Sequence, residues 1–192
     1  MILFINACVR KDSRTKRLAD AFLATKKDPV TELRLAEVDF PVTDEAFLSR
    51  RDELADNGAF DDSAFCLARQ FAAADEIVIA APTWDLSFPA ALKQYFEQIN
   101  VVGVTFRYLS DGTAEGLCKA EKLTYITTAG GEYFPEEYGF GYVKALSRTF
   151  YGINNVELIK ATGLDIYGND PEAIIDEVIK KYNLEDKKNE KR

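Results

Sequence analysis

Short runs of β-branched and apolar residues recur along the chain, each followed or preceded by apolar positions three and four apart. Ile77-Val78-Ile79-Ala80-Ala81 reads as a strand buried on both faces of a parallel sheet, and Pro82 ends it because proline cannot continue ladder pairing. Ile2-Leu3-Phe4-Ile5 is a second such run, stopping at Asn6-Ala7-Cys8, and Val30 to Leu35 alternates as a more exposed strand does. Lys122 to Thr128 and Val156 to Lys160 complete the set. Helical spacing fills the intervals: Leu18, Ala19, Phe22 and Leu23; Phe65, Leu67, Ala68, Phe71 and Ala72; Ala90 to Ile99 with Pro89 in its first turn; about Tyr142 to Phe150; and Asp170-Pro171 to about Tyr182.

Residues 36–58 are acidic and read as irregular, with Phe40-Pro41 and Asn57-Gly58 as breakers. Val104 to Tyr108 alternates ahead of Ser110-Asp111-Gly112, so 104–118 reads as an excursion in hairpin form rather than a core element. Strands alternating with helices predict an α/β fold, a doubly wound five-stranded parallel sheet in a single domain over 1–183. Right-handed crossovers favour strand order 2-1-3-4-5, which puts a crevice between strands 1 and 3 with strand 4 beside it. The tail 184–192 is almost all charge, with nothing to bury, and is expected to fray.

Composition narrows the function classes. A chain of 192 residues can build a full core without metals or disulfides. Its net charge of −8 argues against a nucleic-acid or anionic-membrane surface, since both want a basic face. A phosphate can still be held locally by backbone N–H groups at a helix start. No apolar run approaches the roughly 20 residues that span a bilayer, and the chain enters its first strand without a signal-peptide pattern. Cys8, Cys66 and Cys118 are odd in number and widely spaced, as suits a reducing, cytoplasmic setting. There is no histidine, which removes Ser-His-Asp and Cys-His catalysis and the commonest metal ligand; no metal site is expected. The chemistry must use other groups or a cofactor.

Three loops share the predicted crevice. The first, Cys8 to Thr15, offers a helix N-terminus, the hydroxyls of Ser13 and Thr15, and the cations Arg10, Lys11 and Arg14. It is also readable as a Ser-capped helix with solvated basic residues. The second, Pro82-Thr83-Trp84-Asp85-Leu86, presents an aromatic that can line a flat ligand, or can plug the core against Phe88. The third, Thr127 to Gly131, ends a buried strand in two glycines, which allow close backbone approach and positive φ, or simply mark a turn. Taken together they supply a phosphate cradle, an aromatic wall and bare backbone donors, which is what a flavin mononucleotide needs.

On these residues the chain resembles a known family. Ser13-Arg14-Thr15, the Pro82–Leu86 loop with Leu92-Lys93-Gln94-Tyr95-Phe96, Gly103 to Tyr108, and Thr128-Ala129-Gly130-Gly131 resemble the FMN-dependent NADH azoreductases and related NAD(P)H quinone reductases of the flavodoxin-like fold. The resemblance covers Met1 to about Ile179. It implies that Ser13, Arg14 and Thr15 hold the FMN phosphate and that Pro82, Thr83, Trp84, Asp85 and Leu86 flank the isoalloxazine. It also implies that Thr128, Ala129, Gly130 and Gly131 meet the ring's polar edge, and that NAD(P)H is the electron donor. A homodimer with the cofactor at the subunit interface follows from the same resemblance. The family's usual Pro-Met-Tyr-Asn-Phe is here Pro-Thr-Trp-Asp-Leu, so the aromatic slot is kept and Asp85 replaces an amide. Ala129 stands where the azoreductases often carry an arginine.

A flavin carries hydride itself, which accounts for the missing histidine. The expected activity is ping-pong transfer from NAD(P)H to a small aromatic acceptor: a quinone, an azo dye or a nitroaromatic. Phe106, Tyr108, Tyr133, Phe134 and Tyr138 are candidate walls for that acceptor, or interface packing. Two alternatives stand beside it. A single-electron carrier of the flavodoxin type would suit the negative charge. A small phosphatase would use the string Cys8-x5-Arg14-Thr15, with Cys8 as the thiolate nucleophile activated by Arg10, Lys11 and Arg14, although that loop has no glycine to wrap an oxyanion.

Overall fold

Asn6, Ala80, Thr128 and Ala161 end four parallel neighbours at one edge of a five-stranded sheet. In the computed structural model, which describes residues 1–189 and side chains through Tyr182, the strands are β1 (Ile2–Asn6), β2 (Val30–Arg34), β3 (Glu76–Ala80), β6 (Lys122–Thr128) and β7 (Asn155–Ala161). They run β2-β1-β3-β6-β7, all parallel, which is the predicted 2-1-3-4-5 order when only this sheet's strands are counted. Register pairs Asn6 with Ala80, Ala80 with Ile126, and Thr128 with Ala161, so the central carboxyl ends lie side by side.

Successive residues of a strand point to opposite faces, so each central strand feeds two cores. Leu3, Ile5, Ile77, Ile79, Leu123 and Tyr125 pack under α3 (Cys66–Ala73), α4 (Ala90–Ile99) and α5 (Phe140–Leu146). Ile2, Phe4, Val78, Ala80, Ile126 and Ile159 pack on the other side, under α1 (Arg14–Leu23) and α6 (Pro171–Asn189). Complete burial of each such aliphatic side chain stabilises the fold by roughly 1.5–3 kcal/mol relative to leaving it in water. In α1, Thr15, Leu18, Ala19 and Phe22 fall on the buried stripe, and Arg17 ties the helix to Glu172 and Asp176 of α6. The expectation for the 184–192 tail falls outside the side chains described.

The acidic stretch read as irregular contains a helix, α2 (Glu45–Asp56). None of its residues is fully buried, so the periodicity that reveals a core-facing helix is missing. A local cap and a distant contact hold it instead. Asp44 caps the start, its carboxylate accepting from the Phe47 N–H at 2.9 Å. Arg51 reaches α4, donating to the Glu97 and Asn100 carbonyls at 3.0 and 3.2 Å, and so satisfies the open end of that helix. The predicted 61–74 helix is α3 preceded by a short 3-10 turn, Ser63–Phe65.

The 104–118 segment is a separate antiparallel pair, β4 (Phe106–Tyr108) and β5 (Ala114–Gly116). It docks on the π-helical turn Ser147–Tyr151 that extends α5, with the Phe106 and Phe150 rings 4.6 Å apart. Gly116 is required at the contact, because a Cβ there would lie 2.1 Å from the backbone nitrogen of Gly152.

Candidate active-site crevice

The loops leaving β1, β3, β6 and β7 enclose a crevice of about 480 Å³ at the carboxyl edge of the sheet. Ser13, Arg14, Thr15, Pro82, Thr83, Trp84, Thr128, Ala129 and Gly130, all predicted site residues, line it together. Asp85, Leu86 and Gly131, also predicted, are not in the lining.

The β1 loop begins with ladder-like order. Ala7 N–H donates to the Ala80 carbonyl at 2.8 Å, and the Asn6 side-chain oxygen accepts from the Cys8 N–H at 2.9 Å. Cys8 is 6% exposed, with its thiol directed at the Ala80 carbonyl 3.8 Å away. Burial pushes this thiol's pKa up, against a smaller opposing effect from the Ser13 hydroxyl. A protonated, buried thiol is not the electropositive, accessible nucleophile the phosphatase reading needs. Ser13 then caps α1, accepting from the Lys16 N–H at 3.3 Å. Thr15 is 1% exposed, and its hydroxyl lies 2.6 Å from that of Thr128. Of the two hydroxyls assigned to a ligand by the sequence, the Thr15 one is thus engaged within the protein.

The β3 loop is a tight reversal. Thr83 extends the sheet, its N–H donating to the Thr128 carbonyl at 2.9 Å and its hydroxyl standing 3.0 Å from that of Thr127. Trp84 and Ser87 then exchange backbone bonds at 3.1 and 2.8 Å, leaving Asp85 (φ 49°) and Leu86 (φ 68°) as the two central residues. Positive φ at both positions is the type I′ pattern, which favours Asn, Asp and Gly and strains leucine. Asp85 and Leu86 therefore shape the turn that presents Trp84. The core-plug alternative for Trp84 does not hold: Phe88 packs on Phe96 and Tyr142, and Trp84 stays 40% exposed at the crevice. The Ser87 hydroxyl donates to the Tyr138 carbonyl at 2.6 Å, fastening this turn to the 136–138 segment.

The β6 loop is knitted to the loop after β7. The carbonyls of Ala129, Gly130 and Gly131 accept from the N–H groups of Leu164, Asp165 and Gly163 at 3.2, 2.9 and 2.9 Å. Among the described residues, the Gly130 and Gly131 N–H groups have no backbone acceptor. Neither glycine has positive φ, so conformational freedom is not why they are there. At Gly130 the reason is space: a Cβ would lie 2.3 Å from the Asp165 carboxylate.

Sequence reasoning missed the β7 loop, which contributes Leu164 and Asp165 to the lining, and it did not single out Val9 or Asp12 as site residues. Its signal was available: Gly163 follows the last strand at the same sheet edge, one strand beyond the expected crevice. Arg14 crosses to this loop, its guanidinium 2.8 Å from the Asp165 carboxylate. Arg10 and Asp12 add one charge of each sign to the lining.

The chemistry on offer is recognition of a flat, anionic, phosphate-bearing molecule: the lining combines a helix N-terminus and guanidinium groups with an aromatic wall and free backbone donors. A family model for the flavodoxin-like fold matches residues 1–184. The chain is 38% identical to the FMN-dependent NADH:quinone oxidoreductase of Lachnoclostridium phytofermentans, over 95% of this chain and 96% of that protein. It is 35% identical to the protein of that name from Clostridium perfringens, over 94% of each. Among solved structures, an azoreductase from Bacillus anthracis superposes with a TM-score of 0.80 at 26% identity, covering 94% of this chain and 95% of that one.

Proposed function

This chain belongs to the flavodoxin-like fold family, and we propose that it is an FMN-dependent NAD(P)H oxidoreductase reducing quinones, azo compounds or nitroaromatics. The observation that carries the proposal is the convergence of helix α1, Trp84 and the Thr128–Gly130 backbone on one crevice, in a chain similar along nearly its whole length to FMN-dependent enzymes.

The residues present fit the cofactor. The crevice volume of about 480 Å³ lies in the range of small-molecule sites, roughly 300–1,000 Å³. Ser13, Arg14 and the first-turn N–H groups of α1 would hold the phosphate, where the helix dipole adds to the guanidinium charge. Pro82, Thr83 and Trp84 would flank the ring, on a turn set by Asp85 and Leu86. The Gly130 N–H group, in the crevice lining, would donate to the ring's polar edge and stabilise negative charge there. Thr15 acts through Thr128, fixing α1 against β6. FMN, when bound, supplies the hydride chemistry, accepting from the nicotinamide and giving to the acceptor. Trp84 lines the crevice on a turn that the Ser87–Tyr138 bond fastens to the 136–138 segment. Nicotinamide and acceptor would use the same exposed ring face in turn, which gives ping-pong kinetics.

The proposal includes a homodimer, in keeping with the resemblance to enzymes that hold FMN between subunits, and a cytoplasmic setting, supported by three free thiols. Among the described residues, no helix is long and apolar enough to cross a membrane. Direct oxidation of NADH with a quinone, without a partner protein, separates this enzyme from a single-electron carrier. The purified protein should take up one FMN per chain and give parallel double-reciprocal lines with NADH and a benzoquinone. Failure to take up FMN would refute the proposal.

A further inference from the structure

We infer that Asp165 is a competitor built into the cofactor site: its carboxylate occupies the Arg14 guanidinium and must give it up for the FMN phosphate to bind. The inference rests on the FMN reading above. Three cations lie in the first turn of α1 or just after it, and two of them are not in the crevice lining. Lys16 pairs with Asp20 on its own helix, and Arg17 pairs with Glu172 and Asp176 of α6. Arg14 differs, because both it and its partner Asp165 line the crevice. The pair spans from the α1 start to the β7 loop at 2.8 Å, and the Asp165 carboxylate lies against Gly130, where a Cβ would meet it at 2.3 Å.

Both partners keep solvent access, 39% for the Arg14 side chain and 71% for that of Asp165, so the bond is weak and exchangeable. A phosphate dianion at a helix N-terminus is the stronger partner for a guanidinium, by its charge and by bidentate geometry. Asp165 also brings a negative charge close to where that dianion must sit. A bond between the β6 and β7 loops fixes the arrangement: Asp165 N–H is bonded to the Gly130 carbonyl at 2.9 Å, so the carboxylate is anchored at its backbone while its end is free to turn. The exchange forms and breaks no covalent bond; Arg14 trades one anionic partner for another. Asp165 thereby tunes phosphate affinity, and with it how readily the protein gains and loses its cofactor.

Riboflavin, which has the ring without the phosphate, separates this effect from ring binding. Apoprotein is titrated with FMN and with riboflavin by flavin fluorescence, in the wild type, Asp165→Asn, Asp165→Glu, Arg14→Gln and the Arg14→Gln/Asp165→Asn double variant. Circular dichroism and thermal melting on each confirm folding. Asp165→Asn should raise the FMN-to-riboflavin affinity ratio by about 3- to 10-fold at low salt, less as salt screens the charges. Asp165→Glu should restore the wild-type ratio. In the Arg14→Gln background the Asp165 effect should shrink markedly, because the two residues act on each other. A ratio that stays the same or falls in Asp165→Asn, or a gain equal for both flavins, would overturn the inference. A wild type that binds neither flavin would instead refute the cofactor reading itself.

Discussion

The hydroxyls of Thr15 and Thr128 stand 2.6 Å apart, both in buried residues, one on the first turn of α1 and the other at the end of β6. They satisfy each other, and they set the height of the α1 N-terminus above the crevice floor. Thr15→Val leaves the Thr128 hydroxyl without its partner and should destabilise the fold by about 1–3 kcal/mol. That corresponds to roughly 2–12 °C in Tm for a domain of this size. Thr15→Val/Thr128→Val removes both polar groups and should recover most of the loss. A single variant that melts like wild type would show that the pair is not formed.

Three glycines should respond to alanine according to what a Cβ meets. At Gly116 it meets backbone at 2.1 Å, and the hairpin cannot dock without moving; the expected loss is about 3 kcal/mol. At Gly130 it meets the end of the Asp165 side chain, which can turn aside at a cost near 1 kcal/mol. At Gly131 the nearest atom is 3.9 Å away, and stability should change by less than about 0.5 kcal/mol. Chemical denaturation midpoints should fall in that order. A Gly116→Ala protein as stable as Gly131→Ala would contradict the hairpin's placement.

Leu86 has φ of 68°, a conformation that taxes a β-carbon by roughly 1–2 kcal/mol and leaves glycine unstrained. Leu86→Gly, after the added chain entropy of glycine, should raise stability by up to about 1 kcal/mol. Leu86→Val should lower it, since β-branched residues tolerate positive φ least. The opposite ranking in urea unfolding would mean that the reversal is not type I′.

Thiol reactivity follows burial. Desolvation raises the Cys8 pKa and pushes that of Cys118 up to about 12, so both stay protonated well above neutral pH. Cys66 is exposed. Iodoacetamide at pH 8 should label Cys66 first in the folded protein, with Cys8 and Cys118 reacting only after unfolding, as read by peptide mass spectrometry. Rapid labelling of Cys8 would reopen the thiolate reading of the first loop.

The sheet was legible because each central strand is a continuous β-branched or apolar run ended by a polar or turn residue, as at Ala81-Pro82 and Thr128 to Gly131. The crevice followed from strand order, and it gathered nine of the twelve residues expected of it, some from each of the three loops, while Asp85, Leu86 and Gly131 stay outside its lining. Other features depend on contacts between distant residues. Helix α2 is set by a cap and by Arg51 on the α4 carbonyls, neither of which leaves an amphipathic stripe. Asp165 joins Arg14 across 151 positions of sequence, and Thr15 joins Thr128 across 113. The Trp84 turn shows a middle case. Its aromatic was visible in the sequence, whereas the positive φ of Asp85 and Leu86 appears only once Trp84 and Ser87 are seen to pair.

The central claim is that this crevice holds FMN and uses it to pass reducing equivalents from a nicotinamide to an aromatic acceptor. The most direct measurement is anaerobic stopped-flow absorbance on FMN-loaded protein, first mixed with NADH alone and then with benzoquinone. The account predicts that NADH bleaches the oxidised-flavin band in a single turnover, that quinone restores it without any further protein, and that Trp84→Ala slows both half-reactions. A flavin band that NADH leaves unchanged, with NADPH equally ineffective, would contradict it.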